Sequence, residues 1–159
     1  TNLPLKLESC VKQDASGVYF YSQAKIALDM LELNSEDMLH LLSALKIMGG
    51  YDYILLDMDF SIDAEMLKIY RQAQTIFLVG DGTVESNVKT ERAYVSLETL
   101  EQNADAPLTD RTYFVYDKAR DRSVQQISVF GMKVIGDIPR YAGNNVPQIV
   151  EQLSKRGYI

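Results

Sequence analysis

Asp57 and Asp59 stand two residues apart directly after the apolar run Tyr53–Leu56, in the stretch Asp57-Met58-Asp59-Phe60-Ser61. Carboxylates just off a buried strand suit Mg²⁺, which takes one or two of them and completes its shell with water and substrate phosphates. The same residues admit a plainer role, with Asp59 capping the turn and Asp57 held by backbone amides. A second candidate follows Thr75–Val79, where Gly80-Asp81-Gly82-Thr83 opens a helix. Its glycines permit a tight turn, and the free N–H groups of a helix start favour an anion. The residues favour the simpler alternative, a strand-to-helix turn capped by Asp81 or Thr83. Two further segments follow apolar runs: Asp117-Lys118-Ala119-Arg120 after Tyr113–Tyr116, and Gly136-Asp137-Ile138-Pro139-Arg140-Tyr141 after Lys133–Ile135. Ligands of open parallel sheets bind beyond the carboxyl ends of the strands. These two segments would then share one sheet edge and could line a pocket for a planar base, although each alone reads as an ordinary loop.

Several chemistries are excluded. No GxxxxGK[ST] loop occurs, nor a relative with its lysine near the start, and GxGxxG, GxSxG and HExxH are also missing. His40 is the single histidine, which argues against a histidine triad or a multi-histidine metal site. Cys10 is the single cysteine, so no intrachain disulfide can form and a reducing compartment is expected. Sixteen basic residues against 22 acidic ones give a net charge of −6. That balance offers phosphates no positive face, so neither nucleic acid nor an anionic membrane is an expected partner. No apolar run approaches the roughly 20 residues of a membrane span, and the first twenty residues carry no secretory pattern.

The elements that must position these residues alternate along the chain. Strands are predicted at Val18–Tyr21, Tyr53–Leu56, Thr75–Val79, Tyr113–Tyr116 and Lys133–Ile135, mostly as continuous apolar runs, the pattern of a parallel sheet covered on both faces. A helix is predicted over Ser35–Met48, with Met38, Leu41, Leu42, Leu45 and Met48 on one stripe, His40 on the polar face and Gly49-Gly50 as the stop. Further helices are predicted at about Ile62–Arg71 with Ser61 as cap, at about Val84–Gln102, and at the C-terminus around Val146, Ile149, Val150 and Leu153. Asn103–Arg111 is expected to be a loop. The order implies one α/β domain over residues 1–159, three-layered, with a mainly parallel sheet and helices on both faces.

That order resembles a known family. Tyr51-Asp52-Tyr53-Ile54-Leu55-Leu56-Asp57 is similar to the "[YF]DYxxxD" strand of the MinD/ParA-type deviant-Walker P-loop ATPases. Gln74–Val79 and the helical pattern Val84–Leu100 resemble the strand-helix unit that follows it. Tyr113-Phe114-Val115-Tyr116-Asp117-Lys118 lies where the family has an apolar strand and an adenine-facing Asn. Val134–Tyr141 is similar to its "hhGxIPxx" segment. Within the family, "DMDFS" and "GDGTVESNVKTERA" look most like the CpaE/TadZ branch, pilus-assembly proteins that help place Tad/Flp-type secretion machinery at the cell pole.

The resemblance covers about Val18 to the end of the sequence and implies the C-terminal part of an ATP-binding domain. It implies that Asp57 is the catalytic acid, acting on Mg²⁺ through water with Asp59 beside it. Asp117, Pro139 and Arg140 would line the adenine site. A homodimer, contacts with pilus or secretion proteins, and a cytoplasmic place reaching the pole or membrane through partners are implied as well. Asp replaces Asn at 117, so this residue accepts from the adenine amino group but does not donate to a ring nitrogen. "DMDFS" lacks the Pro and Gly of the family's DxPxG turn, and the P-loop strand is expected upstream of Thr1. Hydrolysis is therefore expected to be weak or absent. Two alternatives come from other classes: a response-receiver domain with Asp57 as phosphoacceptor, and an interaction module that binds no nucleotide.

Overall fold

The structure is a computed structural model that describes residues 3–15, 17–21, 33–102, 107–119, 127, 131–139, 151 and 155. The chain divides into two compact units, Thr1–Gln72 and Ala73–Ile159.

The first unit contains helix α1 (Leu3–Cys10), strands β1 (Val11–Gln13) and β2 (Tyr19–Tyr21), and helices α2 (Ser35–Met48) and α3 (Ala64–Tyr70). α2 has the predicted bounds because both of its ends are chemically marked. Asn34 accepts the Asp37 N–H while the Asp37 carboxylate accepts the Asn34 N–H, a reciprocal cap. At the other end Gly49 takes φ +67° and donates its N–H to the Leu45 carbonyl at 3.2 Å. Leu42, Ala44 and Leu45 are buried, and Met38, Leu41 and Met48 are half-buried, while His40 lies exposed. α3 is shorter than predicted and its cap is Asp63, not Ser61. The Asp63 carboxylate accepts from Glu65 N at 3.0 Å and Met66 N at 2.8 Å, and the Ser61 hydroxyl donates to it at 2.7 Å. Ser61 thus supports the cap from one step away. Ser35 at the start of α2 donates to Glu65 in the first turn of α3, linking the two helices.

Two strand expectations change in this unit. Val18–Tyr21 does hold a strand, but it pairs antiparallel with β1 in a two-stranded hairpin, Val11 opposite Tyr21 and Gln13 opposite Tyr19. Asp14 and Gly17 (φ +91°) carry the turn, with Val18 N donating to Asp14 Oδ1 at 2.9 Å. Tyr53–Leu56 forms no strand. Residues 51–60 make no ladder with any described residue, and Tyr53 and Leu55 are 85% and 87% exposed. An apolar run becomes a strand only when another strand takes up its backbone groups.

The second unit is built on a three-stranded parallel sheet in the order β3 (Ile76–Gly80), β4 (Thr112–Ala119), β5 (Lys133–Pro139). Helix α4 (Val84–Leu100) is the crossover between β3 and β4, the usual device for joining parallel neighbours. α4 buries Asn87, Tyr94 and Leu97. With Leu78, Phe114 and Tyr116 from the sheet these side chains form the core, where the Phe114 and Tyr116 rings meet edge to face at 4.7 Å. The predicted loop 103–111 contains, at Leu108–Arg111, a 3₁₀ turn whose Leu108 is fully buried. The buried Glu101 carboxylate fixes that turn by accepting the Leu108 N–H at 2.5 Å. The helix predicted around Val146, Ile149, Val150 and Leu153 lies outside the described residues; of the C-terminal stretch only Glu151 and Lys155 are described, and they pair at 2.6 Å. The fold class is α/β with a parallel sheet, as the run pattern implied.

Candidate functional site

The parallel register fixes which residues reach the carboxyl edge of the second unit's sheet. Gly80, the last residue of β3, stands beside Tyr116, and Tyr116 stands beside Asp137. One step further along, Asp117 is level with Ile138, and Ala119 with Pro139. Of the four candidate segments, two therefore meet on adjacent strands at this edge, the Asp117 segment and the Ile138–Pro139 segment. The register between them shifts between Phe114 and Val115 and again between Asp117 and Ala119. Strand alternation sets Asp117 on the face of Tyr113 and Val115, opposite the face where Phe114 and Tyr116 pack under α4, and leaves it half-buried. Arg140 falls outside the described residues.

The third segment, Gly80-Asp81-Gly82-Thr83, also reaches this edge, and its own side chains satisfy it. Thr83 is the helix cap, its hydroxyl oxygen accepting the Ser86 N–H at 3.2 Å. The Asp81 carboxylate accepts the Thr83 N–H at 3.0 Å and the Thr83 hydroxyl at 2.8 Å, and these bonds hold its pKa below the ordinary carboxylate value. Gly82 makes the turn with φ +74°. An open cleft of about 300 Å³ lies here, lined by Asp81, Thr83, Glu85, Ser86 and Lys89. Lys89 is bound to Glu85 at 2.9 Å, so the cleft presents a fixed carboxylate and a neutralised cation. The carboxylates disfavour a phosphate here, and the Ser86 N–H of the helix start is already taken by the Thr83 hydroxyl.

Asp57 and Asp59 belong to the first unit, both exposed in the irregular stretch 51–60. The end of that stretch is anchored. Phe60 stacks on Tyr70 with ring centroids 5.7 Å apart, and Ser61 N donates to the Tyr70 hydroxyl, which in turn donates to the Ser61 carbonyl at 3.1 Å. Tyr70 is buried, and burial pushes its phenol pKa up, keeping the donor proton in place. This clamp was not anticipated; the signal for it was an aromatic at 60 followed ten residues later by another on the buried side of a short helix.

Each unit's donor chemistry stands by itself. Asp57 and Asp59 are exposed carboxylates, a donor type Mg²⁺ accepts beside water, but they do not follow a buried strand, and among the described residues no group of three or more acidic, His or Cys residues could hold a metal ion. The Asp117 carboxylate suits an adenine amino donor. The Gly80–Thr83 turn does not fit the phosphates.

No family model and no curated protein sequence matches this chain. A solved structure does: the ParA family ATPase from Chlorobium tepidum TLS aligns with a TM-score of 0.59 at 16% identity, over 95% of this chain. The fold is ParA-like. The chain spans 60% of that protein's length. Among the described residues no helix is long and apolar enough to cross a membrane.

Proposed function

We propose that the chain is the C-terminal part of a CpaE/TadZ-like ATP-binding localisation factor for Tad/Flp-type pilus assembly. In the intact protein it binds ATP with Mg²⁺, forms a homodimer and acts from the cytoplasm, reaching the pole or membrane through secretion-machinery partners. Hydrolysis is weak or absent. The observation that supports this most is the alignment of Asp117 with Ile138 and of Ala119 with Pro139 at the carboxyl edge of a parallel sheet, in a fold similar to that of a ParA family ATPase. In this reading Asp117 accepts from the adenine amino group, Pro139 and Arg140 flank the base, and Asp57 with Asp59 orients the water shell of the cation. Magnesium supplies neutralisation of phosphate charge. The grip on the β- and γ-phosphates comes from residues other than these 159, since no lysine-bearing glycine loop occurs here and the helix that starts after β3 is capped by Thr83 with the Asp81 carboxylate bound to it.

Calorimetric titration of the intact protein with ATP, with and without Mg²⁺, tests the proposal. The expected result is Mg²⁺-dependent binding that Asp117→Ala weakens by about tenfold or more, the loss of one charge-assisted hydrogen bond. An intact protein that binds no nucleotide overturns it and leaves the interaction-module reading.

A further inference from the structure

No further inference is drawn: the strongest candidate, the outer edge and open face of β3 where Phe77 and Val79 stand exposed, has no partner among the described residues, and nothing in the structure shows what covers it.

Discussion

Gly80 ends β3 where the chain leaves the sheet for α4, and what it supplies there is space. A Cβ at this position would lie 2.9 Å from the Phe114 ring and 2.9 Å from the Ser86 hydroxyl. Phe114 is fully buried and held edge-on by Tyr116, so its ring has nowhere to swing. Gly80→Ala should therefore cost about 1–3 kcal/mol, the usual range for overpacking a filled core, and appear as a lower urea midpoint at unchanged slope. Asp63 makes a different prediction, about pH. Its carboxylate accepts from Met66 N, from the Ser61 hydroxyl and from Glu65 N, and those bonds hold its pKa below the ordinary value. A depressed folded pKa means the contribution is complete above the unfolded value near 4 and disappears as pH falls through the folded one. Asp81 titrates in the same direction. Asp63→Asn keeps a capping side chain but removes the titration. Urea unfolding should show the wild type losing stability faster than Asp63→Asn between pH 5 and 2, with the two converging at the acid end; parallel curves would refute the assignment.

At the scale of elements, the test is whether backbone groups have partners. β4 has neighbours on both sides, β3 and β5, whereas residues 51–60 make no ladder with any described residue. Native-state hydrogen exchange should protect the amides of Leu78, Phe114 and Tyr116, while those of Leu55, Leu56 and Met58 exchange freely. Protection at Leu55 comparable to that at Phe114 would mean that the run is paired after all. This contrast also explains what the sequence made legible. α2 could be read to its ends because Asn34, Asp37 and Gly49 act within one turn of the element they delimit. β3, β4 and β5 could be read because each apolar run finds a parallel neighbour in one ladder, with Leu78, Phe114 and Tyr116 buried while Phe77, Val79, Val134 and Ile135 stay exposed. Tyr53–Leu56 carries the same apolar signal, but strandedness depends on a partner that a run cannot specify by itself. The hairpin was missed for the converse reason: Val11-Lys12-Gln13 has little strand character, and the Asp14–Gly17 turn makes the pair. In the candidate site, the meeting of Asp117 with the Ile138–Pro139 segment was legible from the sheet-edge rule. The capped Gly80–Thr83 turn was legible as well, as the simpler of its two readings, and Thr83 is the cap; the Phe60–Tyr70 clamp was not, because it depends on side-chain geometry.

For the molecule as a whole, the question is which end of a nucleotide these residues can recognise. In the proposed reading the base end would lie at Asp117 beside Ile138 at a sheet edge. For the phosphates the chain offers a carboxylate bound to the helix cap, no glycine-lysine loop and a net charge of −6. A polyanion gains nothing from such a surface and is repelled at long range, more so at low salt. If recognition by these 159 residues is confined to the base, the phosphates add no affinity. Competition against a fluorescent adenosine probe should then rank adenosine equal to or tighter than ATP, with the gap narrowing as salt rises, and phosphate release from ATP should stay at the uncatalysed background. ATP binding tenfold tighter than adenosine would correspond to about 1.4 kcal/mol from phosphate contacts, and would require a grip within this chain.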